Sequence, residues 1–464
     1  MVEGRTHKPV IEYDKCETCG VCIQACPAEL VPEMRREEDS LRGRIYGHSN
    51  VEPRLNLGKT YGPPRCEAAC PIGQDVRGYM RLIFEGRHRE AIDLIRNANP
   101  LPSVCGYVCH HPCERACTRG GVDEALSIRA LKRFVADYHD VSSTPSNRQS
   151  RKKARVAVVG SGPAGLAAAH ELAKTGYAVE VIESYREPGG MLAWAIPAFR
   201  LPRAALRRDI EHIRRMGVEI RTGISFGPGI TVEDLRNRGA HAIVLATGTQ
   251  KSAKMKIRNE NGLEGCMDCL TFLKKCADGD PPPLGKRVIV VGGGNAAVDT
   301  ARTALRRGAA RVSLVYRRSL DEMPADKEEV EDALREGIEM MVLAVPVKIL
   351  ASDGKTIGLE CMKTELGEAD ASGRRRPVPL EGSEFEILGD TVISAVGQVQ
   401  EYSDVTRGLG LEEGPMEVNR ETMHTVVEGV FAAGDFVNGS TTVVEAMASG
   451  KKAARAVEAY LKDK

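Results

Sequence analysis

Two glycine turns carry the clearest chemistry in the chain. Gly160-Ser161-Gly162-Pro163-Ala164-Gly165 follows the apolar run Arg155–Val159 and opens an Ala-rich stretch. In a strand–turn–helix setting the first glycine makes the tight turn. The second lets the backbone approach a pyrophosphate, and the third lets helix pack on strand. The phosphates then meet the free amides of a helix N-terminus. Glu183 closes the next apolar run, where a carboxylate accepts from ribose hydroxyls. The second turn, Gly292-Gly293-Gly294-Asn295-Ala296-Ala297, follows Arg287–Val291 and has Ala in the permitted third place. No acid ends its second run. Tyr316-Arg317-Arg318 stands there instead, and guanidinium groups bind a 2′-phosphate that an acid would repel. This site is expected to prefer NADPH, with NADH the alternative. The competing account of Arg317 and Arg318 is an ordinary solvated basic pair. Two nucleotide sites in one chain imply a flavin in one and a nicotinamide in the other.

Cysteine is the second chemical signal. Ten of the 14 cysteines lie in the first 117 residues, a clustering that favours metal or redox centres over disulfides in an unexported chain. Cys16-x2-Cys19-x2-Cys22-x3-Cys26-Pro27 matches the bacterial ferredoxin run, with a zinc site as the alternative. Cys66-x3-Cys70-Pro71 precedes Cys105-x3-Cys109-x3-Cys113-x3-Cys117, a spacing that lets several thiols converge. Cys266-x2-Cys269 has the spacing of a redox dithiol, but Gly-Cys-Met-Asp-Cys-Leu reads rather as the edge of an amphipathic helix, and that reading is the one expected.

The elements that must position these groups follow from periodicity. VAVVGSGPAGLAAAHELAKTGYAVEVIE and VIVVGGGNAAVDTARTALRRGAARVSLVYRR are two copies of one strand–turn–helix–strand unit. His241–Thr249 and Val430–Phe436 each read as a strand with a Gly turn. A helix opening at Thr441–Glu445 follows the second. Asp435 there could accept from flavin ribityl hydroxyls, or be a turn residue. Upstream, 75–85 and 88–98 read as helices, the first with Val76, Met80, Ile83 and Phe84 on its apolar face, the second with Ala91, Ile92, Leu94 and Ile95.

The expected fold is α/β: two Rossmann-like dinucleotide-binding domains, for FAD and NADPH, preceded by a mostly helical iron–sulfur domain. The expected divisions are a ferredoxin-like segment at 1–31, a connector at 32–65 and the helical domain at 66–150. A first flavin part at 151–265, a nicotinamide domain at 266–390 and a second flavin part at 391–464 complete them. A length of 464 residues suits about three domains at roughly 150 residues each. The net charge of +1 argues against a nucleic-acid or membrane-surface role. No apolar run of about 18 residues offers a membrane span. Met1 to Lys8 is charged and reads as neither a secretory signal nor a lipidation site, so a cytoplasmic protein is expected.

Taken in order, the motifs resemble the small-subunit family of NADPH-dependent glutamate synthase. The same family holds the flavin–NADPH half of dihydropyrimidine dehydrogenase and the large subunit of NADH-dependent ferredoxin–NADP oxidoreductase. The likeness covers about residues 61–464. It rests on RCEAACP (65–71), NPLPSVCGYVCHHPCERAC (99–117), both glycine turns, EPGGMLAWAIPAFRLPR (187–203), VYRRSLDEMPA (315–325), SAVGQ (394–398) and AAGDFVNGSTTVVEA (432–446). The resemblance implies FAD at the first unit, with Gly190, Met191 and Arg200, and also Gly434, Asp435, Thr442 and Val443, near the flavin. It implies NADPH held by Gly292, Gly294, Asn295, Ala296, Arg317 and Arg318, with Gly397 on the nicotinamide side, and one or two [4Fe-4S] clusters.

The chain departs from that family in its cluster ligands. The Cys-x2-Cys that precedes the Cys66 position is absent from Gly58–Pro64, leaving Cys66 and Cys117 of the first cluster. The second takes the Cys70, Cys109 and Cys113 positions plus an acid or amide, where this chain has Lys132, which when protonated has no lone pair to give. The head could supply the missing thiolates: Cys26 to one cluster, with Cys66 or Cys117 joining Cys16, Cys19 and Cys22 in another. The expected activity is electron transfer between NADPH, FAD and the clusters, to other subunits of a complex such as a hydrogenase, a formate dehydrogenase or a bifurcating assembly, or to ferredoxin. The alternatives are a glutamate synthase small subunit and a non-catalytic electron-wiring subunit.

Overall fold

The computed structural model describes residues 63–138, 154–370 and 373–462. The cysteine run Cys16 to Cys26 lies outside the described residues. The chain divides into two units, one ending at His139 and the other beginning at Asp140.

The described part of the first unit is helical. Asp75 accepts from Gly78 N at 2.8 Å and so starts the helix Val76–Phe84. The helix His88–Ala98 buries Ala91, Ile92 and Ile95, and Ile128–Tyr138 buries Ile128, Val135 and Ala136 around Cys113. Phe84 corrects the expected apolar face, for it is 92% exposed. A Cβ on Gly78 would lie 2.7 Å from Leu94, so the two helices approach closely there. Val76, Met80 and Ile83 of the expected face do pack in this core, whereas Phe84 is the last residue of its helix and projects beyond the packed turns. Tyr79 is fully buried and its hydroxyl donates to Ile128 O at 3.1 Å.

The second unit contains two five-stranded parallel sheets of the same design. The first runs Val430–Ala432, Ala240–Leu245, Arg155–Val159, Ala178–Ile182, Glu219–Arg221. The second runs Cys266–Asp268, Thr391–Ser394, Arg287–Val291, Arg311–Tyr316, Glu339–Val342. Their inner strands are unbroken apolar runs because both faces of each parallel sheet are covered. Val159 pairs with Ile182, and Val291 with Val315. The expected α/β class, with two Rossmann-like sheets and a helical N-terminal region, is the class observed. The last strand of the first sheet, Val430–Ala432, comes after the whole second sheet in the chain.

One element goes beyond the expectation. Ala344–Ser352, Lys355–Ala369 and Arg375–Leu388 form a three-stranded antiparallel sheet, packed through Ile349, Leu359, Cys361 and Ile387 on Ile289 and Val291. Its register shifts at four places break the alternation that would betray it in the sequence.

Candidate functional site

Gly160 has φ +99°, and a Cβ there would meet Ala246 O at 2.3 Å. A Cβ on Gly165 would meet Gly160 O at 1.9 Å, so helix and turn touch through backbone. A Cβ on Gly162 has nothing within 4 Å, which leaves open space over the helix end. Pro163 takes the first helical position, and no side chain caps Pro163–Lys174. By contrast Thr231, Asp268 and Asp326 cap their helices with side-chain oxygens. The amides at the fingerprint helix therefore lack the partner that those helices have. Ala164 and Gly165 are buried in its first turn.

Glu183 is 5% exposed. Its carboxylate accepts from Ser161 N at 2.9 Å, Ser161 Oγ at 2.6 Å and Tyr185 N at 2.7 Å. Ser161 Oγ in turn accepts from Gly189 N at 2.8 Å. Ser161 thus ties the turn to Glu183 and to the Gly189-Gly190 bend, a role legible only from its place inside the fingerprint. Gly190, at φ +55°, is pressed against Gly162, with an added Cβ 2.9 Å from Gly162 Cα.

The C-terminal motif reaches the same turn. A Cβ on Gly450 would lie 2.0 Å from Ala164 O, so the helix Val443–Lys462 packs directly on Pro163–Lys174. Gly434, at φ +72°, donates its amide to Ser449 Oγ at 2.8 Å and faces Ala164. Asp435 accepts from Thr441 N and Oγ1 at 3.2 and 2.6 Å, and burial raises its carboxyl above the usual range. Thr442 Oγ1 donates to Glu445 at 2.7 Å just ahead of Val443, where the last helix begins.

The second turn repeats this geometry. A Cβ on Gly292 would strike Ala395 O at 2.3 Å, while one on Gly294 has nothing within 4 Å. No side chain caps Asn295–Arg306. Asn295 Oδ1 accepts from Asp326 N at 2.9 Å, and Ala296 O accepts from Thr300 Oγ1 at 2.7 Å. Gly397, at φ +121°, accepts from Ala253 N at 2.9 Å.

The two arginines differ. Arg317 is exposed at the strand end. Arg318 is buried, donating to Asp370 Oδ2 and to Arg375 O, both at 2.6 Å. Arg200 is held within the second unit by Asp299 at 2.7 Å and Glu329 at 3.0 Å. Met191 Sδ lies 3.6 Å from Gln398 Nε2. Asp299 and Asp370 were not legible as partners, because 99 and 52 residues separate each pair.

In the helical unit, Gly106 brings helix Pro102–Val108 into backbone contact with Ile128–Tyr138, an added Cβ lying 2.8 Å from Arg133 Cα. The neighbouring Lys132 is buried, and the thiols of Cys105, Cys109, Cys113 and Cys70 act on its charge. The Cys105 hydrogen bond, against the cost of burial and with help from Lys132, holds the Cys109 thiol down at about 5. Burial pushes Cys113 up to about 12. Burial also raises Cys66, and Cys117 adds to that. Among the described residues no three His, Cys, Asp or Glu side chains stand in a ligating arrangement. By chemistry, soft thiols gathered at a buried cation suit an iron–sulfur group, and both glycine cradles suit a dinucleotide. Burial raises Cys266 and Cys269, the latter to about 12, which suits inert thiols rather than a redox dithiol.

A family model described as pyridine nucleotide-disulphide oxidoreductase matches residues 154–450. One described as dihydropyrimidine dehydrogenase domain II, 4Fe-4S cluster, matches residues 60–144. The chain is 41% identical over 451 residues to the NADP(+)-dependent formate dehydrogenase subunit beta of Moorella thermoacetica, covering 91% of this chain and 64% of that protein. It is 34% identical over 465 residues to the glutamate synthase [NADPH] small chain of Azospirillum brasilense, covering 95% of each. FprA from Mycobacterium tuberculosis shares the fold, with a TM-score of 0.56 at 18% identity over 67% of this chain and 85% of that one. The chain therefore spans just under two thirds of the formate dehydrogenase subunit and nearly all of the glutamate synthase chain. It belongs to the pyridine nucleotide-disulphide oxidoreductase family, in the branch of glutamate synthase small chains and related NADPH oxidoreductase subunits, whose cofactors are FAD, NAD(P)H and [4Fe-4S] clusters.

Proposed function

We propose that the chain is the pyridine-nucleotide-handling subunit of an electron-transfer complex. When bound, FAD accepts a hydride from NADPH and exchanges single electrons with iron–sulfur clusters. The observation that carries this reading is the pair of strand–glycine turns, each leading into a twelve-residue helix whose N-terminus no side chain caps, both within one unit. Gly162 and Gly294 admit the pyrophosphates, Glu183 orients the adenosine ribose of FAD, and exposed Arg317 supplies charge for the NADPH 2′-phosphate. Asp435, Thr442 and Val443 bring the last helix's start toward the flavin. Cys70, Cys109 and Cys113 supply cluster thiolates, as do Cys66, Cys117 and the head. No acid–base residue is required, because the cofactors carry the chemistry.

The partner is a catalytic subunit such as a formate dehydrogenase or hydrogenase, or ferredoxin. The likeness to a formate dehydrogenase subunit and the ferredoxin-type run Cys16 to Cys26 support this choice. The setting is cytoplasmic, which suits thiolate clusters, and no helix among the described residues is long and apolar enough to cross a membrane. A second reading, the glutamate synthase small chain, is favoured by the 95% coverage of that relative. Isolating the tagged chain anaerobically from its host separates the two. Co-purification of a subunit with formate dehydrogenase or hydrogenase activity is expected. A glutamine-hydrolysing large chain with NADPH-dependent glutamate formation would replace the first reading with the second.

A further inference from the structure

The segment after Gly190 begins at the flavin-side turn and continues into the core of the other sheet. Trp194 and Ala195 share one buried cluster with Phe272, Val290 and Val298. Five residues on, the guanidinium of Arg200, 8% exposed, donates to Asp299 Oδ2 at 2.7 Å and pairs with Glu329 at 3.0 Å. Asp299 lies one turn into the helix that opens at Gly294. Phe199 lies under the guanidinium of Arg306, 3.9 Å from ring centroid to Cζ. One short stretch thus connects the flavin-side turn to the helix that begins at the nicotinamide-side turn.

A buried ion pair contributes little net stability, because desolvation offsets attraction, but it penalises arrangements that separate its members. Burial pushes the Asp299 carboxyl up to about 6 even with Arg200 beside it, since a buried site disfavours an unpaired charge. Hydride transfer in turn needs donor and acceptor atoms about 3–3.5 Å apart, so a small change of angle between two sheets matters.

We propose that Arg200 is a positioning residue whose pairing with Asp299 and Glu329 fixes the nicotinamide-binding sheet against the flavin-binding sheet at the angle hydride transfer requires. The step served moves one hydride, with both its electrons, from nicotinamide C4 to flavin N5, oxidising NADPH and reducing FAD. The inference rests on the reading that this chain performs that transfer, and wild-type protein in the same assay tests that reading separately.

The test compares wild-type, Arg200→Met, Arg200→Lys and Phe199→Ala proteins for FAD content, NADP⁺ affinity, the stopped-flow rate of flavin bleaching at saturating NADPH, and the fluorescence of Trp194, the chain's one tryptophan. Arg200→Met is expected to slow bleaching at least tenfold, keep full FAD and NADP⁺ affinity within threefold, and red-shift Trp194. Arg200→Lys, which keeps the charge but not the fork, recovers part of the rate. Phe199→Ala, a milder change at a 39%-exposed ring, slows bleaching by a smaller factor and decides the matter if Arg200→Met does not fold. A wild-type bleaching rate in either Arg200→Met or Phe199→Ala would overturn the proposal. So would FAD loss in step with the lost rate, which would place Arg200 on the flavin. If wild-type protein itself fails to bleach, the reading of hydride transfer fails first.

Discussion

At the scale of single residues, neighbouring side chains of one type do different work. Arg317 and Arg318 look equivalent in sequence, but Asp370 already neutralises Arg318. Arg317→Ala is therefore expected to weaken NADPH binding by about 1–3 kcal/mol while sparing NADH, as loss of a charge-assisted contact requires. Arg318→Ala should instead lower the melting temperature with nucleotide preference unchanged. Calorimetric titration with both nucleotides checks this, and equal losses of NADPH and NADH in the Arg317 variant would count against a 2′-phosphate role. The glycines separate in the same way. Gly165→Ala forces a Cβ into the Gly160 carbonyl and should cost about 1–3 kcal/mol of stability. Gly162→Val meets open space, so the protein should fold normally and emerge without flavin absorbance. A Gly162→Val protein with full FAD would remove the flavin from this turn. The close approaches at the turn glycines and the burial of Glu183 beside them were legible because a strand–turn–helix unit of this kind sets them at fixed spacing. The buried roles of Arg318 and Arg200 were not, since their partners come from distant segments.

At the scale of elements, periodicity revealed what is buried on both faces and missed what is irregular. The strands Arg155–Val159 and Arg287–Val291 announce themselves as apolar runs before a glycine. The antiparallel sheet at 344–388 did not, because bulges break its alternation. The apolar pattern of the helix Val76–Phe84 holds for Val76, Met80 and Ile83 and fails only at Phe84, where the helix ends. The helix pair Pro163–Lys174 and Val443–Lys462 carries a titratable link, with Glu171 between His170 and Lys451 at 3.5 Å from each. Burial alone would raise Glu171, but His170 and Lys451 override it and hold the carboxyl at about 2. A depressed carboxyl adds stability above its ordinary 4.5 that is lost as pH falls toward 2. Melting temperature should accordingly drop across that window, and Glu171→Gln should flatten this part of the profile. An unchanged profile in the variant would show that the link contributes nothing.

At the scale of the whole molecule, the order of a helical 4Fe-4S domain followed by two Rossmann-like sheets was readable, and the completion of the clusters was not. Four thiols, those of Cys105, Cys109, Cys113 and Cys70, act on a buried Lys132 where the resemblance places a fourth ligand, and spacing alone does not identify what would take that place. If the head at Cys16 to Cys26 is an electron port, Cys19→Ser should lower the iron content by up to one cluster. NADPH bleaching of the flavin should survive, and delivery to the partner should collapse. Unchanged iron together with unchanged partner reduction would make the run vestigial. Whether NADPH electrons enter through the flavin and leave through iron–sulfur clusters is decided by an anaerobic NADPH titration of the purified wild-type protein. The titration is followed by flavin absorbance and by electron paramagnetic resonance together. Flavin bleaching with NADPH, weaker with NADH, is expected, with reduced-cluster signals appearing as the flavin is reduced. Flavin that stays oxidised under excess NADPH, or a metal analysis showing zinc in place of iron, would contradict it.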